Sequence, residues 1–295
     1  MAGGMQDIRY RMARFSILEK MIALNAVLFI LPGIIAAILS LFKKDITHYY
    51  QWFELYPDVG ELIFRPWTLL TYGFFHAGLW HLFWNMFILY FAGRIFLNLF
   101  DGRRFLNVYL LGIISGGLIF ILSYNVFPVF QGNFAPLVGA SAGVTAVLIF
   151  VCAYIPNKEV RVIFFNVKLW HIGVFFVVMD LLRLSGGNAG GHLAHLGGAI
   201  LGFFYARQLT KGKDIGEWFG KLMDATVNLF KSRPRTKSPL KTVYKKQSNS
   251  KKDSAPNAKD LKQQQIDDIL DKISKSGYES LSQAEKDFLF RAGKE

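Results

Sequence analysis

Residues 21–42 read MIALNAVLFILPGIIAAILSLF, 22 residues without a charge, closed by Lys43, Lys44 and Asp45. At about 1.5 Å per residue, a helix of that length crosses a hydrocarbon core of about 30 Å. The stretch is too long for a signal-peptide core and has no small-residue cleavage site near it, so it reads as a membrane span. Further apolar stretches at about 79–100, 105–127, 137–156, 167–184 and 190–208 bring the expected spans to six.

The composition agrees. Of the 295 residues, 52% are hydrophobic and 16% aromatic, while 19% are charged, against about 25% in soluble domains. The net charge of +13 divides into +6 over residues 1–207 and +7 over 208–295, so the shorter tail carries the larger share. An ordinary soluble enzyme, a collagen-like chain and a disordered chain are excluded. With Cys152 as the only cysteine, so are an intramolecular disulfide scaffold and a cysteine-based zinc site. The expected class is an all-α membrane protein with a cytosolic tail.

Basic residues set the orientation. Arg9, Arg11, Arg14 and Lys20 precede the first span, Arg94, Arg103 and Arg104 flank the second-to-third turn, and Lys158, Arg161 and Lys168 lie between the fourth and fifth. The opposite connections hold Lys43, Lys44 and Arg65, nothing charged over 123–136, and Arg183. The positive-inside bias therefore puts both termini in the cytoplasm. The long outer connection, about 43–78, is rich in aromatics such as Tyr50, Trp52, Phe53 and Trp67. Such rings favour the headgroup zone, so this loop is expected to lie partly in the membrane face.

Polar groups inside apolar spans are costly and point to function. They form three clusters: His76, His81 and Asn85 at the start of the second span; Ser141 within Val138-Gly-Ala-Ser-Ala-Gly143 at the start of the fourth; and His192 and His195 within Gly190-Gly-His-Leu-Ala-His-Leu-Gly-Gly198 at the start of the sixth. Spans two, four and six run the same way, so the clusters share one depth near the outer face, within reach of water. A serine hydroxyl needs a base to take its proton, and histidine is the usual one. Ser141 and His195 can serve if their helices approach closely, which Gly139, Gly143, Gly198 and Gly202 at four-residue spacing allow. His81 and Asn85, at i and i+4, share a helix face and can aim two donors at one oxyanion, with the Ser141 N–H as a third.

Structural roles compete for several of these residues. His192 opens the helix and lines the cavity, or shares in the chemistry. His76 hydrogen-bonds the long loop, or serves the oxyanion side. Gly112, Gly116 and Gly117 are packing positions, His171 is interfacial, and Asp180 is expected to pair with Arg183 near the surface.

His76-x4-His81-x3-Asn85, Gly139-Ala-Ser141 and Ala194-His195-Leu-Gly-Gly198-x3-Gly202 together resemble the three signatures of the rhomboid intramembrane serine proteases, in the same order and on the same spans. The resemblance covers about residues 15–208. It implies a six-helix rhomboid-like bundle in which Ser141 is the nucleophile and His195 the base, a dyad without an acidic third member. His81 and Asn85 would take the oxyanion positions, with His76, Gly139, His192 and Gly198 in supporting places. Single-span membrane proteins would be cut near the outer end of a locally unwound helix. No metal or cofactor is implied.

The sequence departs from the family pattern in three places. Ala142 stands where glycine often follows the serine, with Gly143 to compensate. Thr145 stands where an aromatic often supports the histidine, and Trp67 is followed by Thr68 rather than arginine, with Arg65 nearby. Other chemistries fare worse, since there is no His-Glu-x-x-His and only one aspartate, Asp180, inside a span. A silent rhomboid-like binder of membrane clients is the non-enzyme alternative; a transporter would place its polar groups near the midplane. The compact body, with no transit peptide in residues 1–20, suggests a bacterial plasma membrane.

The expected domains are a cytoplasmic segment 1–20, a membrane protease domain 21–208, an amphipathic helix 211–230 on the cytoplasmic membrane face, a linker 231–262 and a helical hairpin 263–295. Residues 231–252 hold nine Lys/Arg and no acid, which reads as a disordered segment attracted to anionic lipid. Without interleaved aromatics it does not read as a nucleic-acid binder. The hairpin would place Ile266, Ile269, Leu270 and Ile273 on one stripe and start its second helix at a Ser282–Glu285 capping box, with Phe288 and Leu289 inward. It resembles a small C-terminal appendage of some bacterial rhomboid-type proteins. The expected partners are transmembrane protein substrates and the lipid bilayer, with no nucleic acid.

Overall fold

Ser16 opens the first helix. Its hydroxyl accepts from the Glu19 N–H at 3.3 Å while the Glu19 carboxylate accepts from the Ser16 N–H at 2.7 Å, a reciprocal capping box. Helix α1 therefore runs Ile17–Leu41, starting inside the expected N-terminal segment. In the computed structural model, residues 14–44, 50–162, 164–230 and 258–293 are described, and the chain divides into two units, Met1–Ser232 and Arg233–Glu295. Residues 1–13, and 231–257 of the expected linker, lie outside the described residues.

Short elements follow α1: α2 (Val59–Phe64), α3 (Thr68–Thr71) and a 3-10 turn at Tyr72–Phe74. Trp67 Nε1 donates to Trp52 O at 2.8 Å and Thr71 Oγ1 to Phe53 O at 2.9 Å. The Leu137 N–H donates to Leu55 O at 2.8 Å, tying the loop to the approach of the fourth apolar stretch. The Arg65 guanidinium lies 4.7 Å over the Trp52 ring, which stacks on Trp67. Arg65 thus supplies from three residues upstream the cation that position 68 lacks.

The remaining long helices are α4 (Leu79–Leu97), α5 (Gly102–Val126), α6 (Ser141–Tyr154), α7 (Leu169–Leu182) and α8 (Ala189–Leu209). With α1 they coincide with the six apolar stretches. By length and composition, α1 and α5 are long and apolar enough to cross a membrane. At 14 residues each, α6 and α7 are shorter than their stretches suggested. Gly139 and Ala140 start α6 late, and Pro156 stops it, because the residue before a proline is pushed out of the helical region.

The connection after α6 adds the one strand pair among the described residues to this mostly helical fold. Strands β1 (Glu159–Val162) and β2 (Phe165–Lys168) pair antiparallel, with Val160 opposite Val167. Two four-residue strands give too little alternation to separate from a basic loop by sequence.

At the centre of the first unit, every residue of α6 from Ala142 to Cys152 is buried. Helix α8 lies against it so closely that a Cβ at Gly198 would collide with the Ala142 carbonyl, and one at Gly202 with the Ala146 carbonyl. The Ala142 methyl is accommodated by Gly116 of α5, where a Cβ would strike it. Gly143, expected to compensate, instead faces the Tyr109 carbonyl.

The amphipathic segment forms α9 (Glu217–Phe230), starting six residues later than expected. It is also docked on the start of α5: Phe219 is buried, Arg103 pairs with Asp224 at 2.6 Å, and Asn107 Nδ2 donates to Gly216 O at 3.0 Å. Asp214 accepts from the Tyr205 hydroxyl and from Arg104 Nε. Burial pushes the Asp214 carboxyl up, but those bonds and the Gly216 N–H hold it below its ordinary value. Trp218 and Leu222 remain exposed on the outer face.

The second unit holds α10 (Ala258–Ser276), a 3-10 turn at Tyr278–Ser280 and α11 (Gln283–Ala292). Residues 258–262, expected as linker, are helical. The Ser282–Glu285 capping box is present. Ile269 and Leu281 are buried and Phe288 and Leu289 half-buried, whereas Leu270, placed on the inner stripe by the sequence, is exposed. Lys272 Nζ donates to the Glu285 carboxylate at 2.9 Å, and with the Ser282 N–H and hydroxyl holds it down to about 2 from 4.5. A depressed carboxyl stabilises the folded form above its unfolded value and loses that contribution as pH falls through the folded one. Acidification from about pH 4.5 to about pH 2 is therefore expected to loosen this hairpin. Circular dichroism of a 258–293 peptide checks it, and a helical signal flat across that window contradicts the assignment.

Candidate active site

Gly139 and Ala140 set the serine at a helix start. Gly139 has φ +131, a conformation that strains any other residue, and its N–H donates to Tyr72 O at 3.0 Å. A Cβ there would lie 2.6 Å from His81 Cε1 and 3.6 Å from Ser141 Oγ, so the missing side chain lets the His81 ring approach Ser141. Ser141 is the first residue of α6. Its N–H and the next two therefore have no intrahelical acceptor and sit at the positive end of the helix.

His81 and Asn85 occupy one face of α4. Asn85 is buried, with one amide N–H donating to the His81 carbonyl at 2.8 Å. A second N–H remains for another acceptor. On α8, Asn188 caps the helix by accepting from the Gly191 N–H at 3.3 Å, and His192 and His195 project from adjacent turns of one face. Their Nδ1 atoms lie 2.7 and 2.8 Å from a single oxygen, Oδ1 of Asp180 on α7.

Asp180 is thus not the surface partner of Arg183 that its sequence position suggested. It is buried, with 7% exposure, and bonded to both histidines. An acid stands beside His195 where the resemblance implied none, and the histidine's support comes from Asp180 rather than from the position of Thr145. Asp180, His192 and His195 are also a possible metal-ligand set, their donor atoms lying within 4.8 Å of one another. The 2.7 and 2.8 Å separations are hydrogen-bond lengths, whereas two ligands at about 2.0–2.1 Å from one tetrahedral zinc stand more than about 3 Å apart. The geometry favours hydrogen bonding.

His81, Asn85, Ser141, Asp180, His192 and His195 all line one cavity of about 750 Å³. Its apolar wall carries Trp80 and Trp84 from α4 and Phe175, Phe176 and Met179 from α7. Gly198 stands behind the serine against Ala142. His76 falls outside this group: it lines a second cavity of about 540 Å³ with Tyr50, Glu54 and Phe29. Its ring stands edge-on to His81 at 5.2 Å. His171 is exposed beside Trp170, away from the cluster.

Fold and cavity define a helical membrane protein with a candidate serine–histidine centre. Residues 64–212 match the Rhomboid domain, which is half of the chain, and the chain belongs to the rhomboid family. It is an integral membrane protein on that ground. The match begins after α1, later than the 15–208 of the sequence resemblance.

Curated relatives include RHOMBOID-like protein 12, mitochondrial, of Arabidopsis thaliana, 31% identical over 158 residues, covering 50% of this chain and 47% of that protein. The human presenilin-associated rhomboid-like protein, mitochondrial, is 32% identical over 150 residues, covering 50% of this chain and 38% of its own length. Rhomboid-related protein 1 of Caenorhabditis elegans is 33% identical over 163 residues, covering 50% and 42%. The chain spans less than half the length of these relatives. Residues 253–294 match a family of unknown function (DUF6576), which covers the hairpin unit.

Proposed function

We propose that this rhomboid-family protein is an intramembrane serine endopeptidase acting on single-span membrane proteins. The observation that carries the reading is that Ser141, at the N-terminus of α6, and His195, on the helix packed against it, line one cavity with His81 and Asn85. Ser141 Oγ attacks the scissile carbonyl as His195 takes its proton, and His195 then returns that proton to the leaving amine. The oxyanion is met by the Ser141 N–H, the His81 ring and the free Asn85 N–H. Preorganised donors of this kind are worth about 3–4 kcal/mol each. Water resolves the acyl-enzyme.

The substrate class follows from the walls. Trp80, Trp84 and Phe175 are each more than half exposed at the rim, an apolar flank suited to a transmembrane helix that unwinds locally. The six apolar helices are taken as six spans with both termini on the positive-inside face. Residues 21–208 are taken as the protease domain and α9 as an interfacial helix whose exposed face meets lipid. The mitochondrial names of the plant and human relatives do not fit the bacterial plasma membrane suggested by the sequence, so the membrane of residence forms no part of this proposal.

Cleavage of a single-span test substrate in liposomes by the wild type, Ser141→Ala and His195→Ala tests the reading. Cleavage by the wild type alone is expected. Intact substrate with all three, together with co-purifying uncut membrane clients, would instead identify a silent binder.

A further inference from the structure

We propose that Asp180 is a positioning residue for His195, completing a Ser141–His195–Asp180 arrangement in which His192 holds the carboxylate in place. The inference rests on the proteolytic reading above and adds to it a residue that a two-member dyad does not contain.

Hydrogen-bond bookkeeping carries it. An ionised carboxylate only accepts. Oδ1 of Asp180 lies 2.7 Å from His192 Nδ1 and 2.8 Å from His195 Nδ1, so both Nδ1 atoms carry hydrogen. A neutral imidazole has one N–H, which leaves Nε2 of His195 with its lone pair free. That is the tautomer a base for Ser141 requires, and the nitrogen not facing the base's substrate is the one that fixes it. In the opposite tautomer Nδ1 would face Oδ1 lone pair to lone pair.

The same contact acts during the reaction. When Ser141 attacks, its O–H bond breaks, an Nε2–H bond forms on His195, and the Oγ–C bond forms at the substrate carbonyl. His195 becomes an imidazolium, and the Asp180 carboxylate 2.8 Å away balances its charge. The side chains of Asp180, His192 and His195 are 10%, 13% and 22% exposed, and charge attraction between largely buried groups exceeds that in bulk water. The carbonyl electron pair, held on the oxyanion, then returns as the C–N bond breaks, and the proton on Nε2 leaves with the amine.

His192 fixes the carboxylate rotamer by occupying the other lone pair of the same oxygen from one turn earlier on α8. The remaining charged or titratable groups lining this cavity are His81 from α4 and Arg183 beyond Asp180 on the α7 side; neither is bonded to Oδ1.

The test uses the full chain and its Asp180→Asn and His192→Ala variants. With Asp180→Asn, kcat is expected to fall by about 100-fold or more with KM within about threefold, since substrate binding is untouched while the tautomer is lost. His192→Ala is expected to fall between that variant and the wild type. A second readout needs no turnover: nitrogen-15 NMR of histidine-labelled protein, with His195→Gln for assignment, should show Nδ1 protonated and Nε2 bare in the wild type. If Asp180→Asn does not fold, this measurement on the wild type decides. Asp180→Asn keeping kcat within threefold, or an Nε2–H tautomer of His195 in the wild type, overturns the proposal. A wild type that cleaves nothing yet shows the Nδ1–H tautomer sinks the proteolytic reading and upholds the positioning.

Discussion

His195→Ala is expected to abolish cleavage as completely as Ser141→Ala, and the double variant is expected to be no slower than either single one. The two act in one proton transfer: without His195 the hydroxyl keeps its proton, and without Ser141 the imidazole has nothing to deprotonate. In serine proteases of other folds, single removals of this kind cost on the order of 10⁴–10⁶-fold in kcat, with grossly non-additive combinations. The remaining rate reflects donors and binding that neither substitution touches, here the Ser141 N–H, His81 and Asn85. Single-turnover cleavage by the three variants measures it. Effects that multiply, or a His195→Ala rate within tenfold of wild type, contradict a shared step.

Gly198→Ala is the second large effect. The α6–α8 contact is backbone on backbone, and a methyl at position 198 would enter the space of the Ala142 carbonyl oxygen. Neither partner is a flexible side chain, so the helices must part. Overpacking of this kind costs about 1–3 kcal/mol. The displacement also separates His195, three residues earlier on α8, from Ser141, next to Ala142 on α6. A shift of about 1 Å between reacting groups costs on the order of 100-fold in rate. Lower thermal stability in detergent together with a large loss of kcat is expected. Gly33→Ala is the control: nothing lies within 4 Å of its Cβ position, and both readouts should match the wild type.

The sequence alone showed the helical layout because an apolar environment forces long charge-free stretches, and the six helices sit on those stretches. It also showed which helices must touch, because Gly198 and Gly202 have little reason to lie in a span except close approach. That Ser141, His81, Asn85, His192 and His195 line one cavity was legible for the same reason: polar groups stand out against hydrocarbon residues.

Asp180 was misread because its true partners lie 12 and 15 residues onward, on another helix, while Arg183 lay one turn away in the local pattern. Room for the Ala142 methyl comes from Gly116 on α5, a different helix, and not from Gly143 beside it in sequence. The docking of α9 leaves no mark in the sequence, because amphipathicity marks an apolar face without saying whether lipid or protein covers it. The β1–β2 hairpin is too short to leave a periodic signal.

The most direct test of the central claim is whether Ser141 is an activated nucleophile. Detergent-solubilised wild type, treated with a serine-directed fluorophosphonate and digested, is expected to carry the adduct on Ser141 by mass spectrometry, with the labelling lost in His195→Ala while the variant stays folded. An unlabelled Ser141 in folded wild type, or labelling undiminished without His195, would contradict the account.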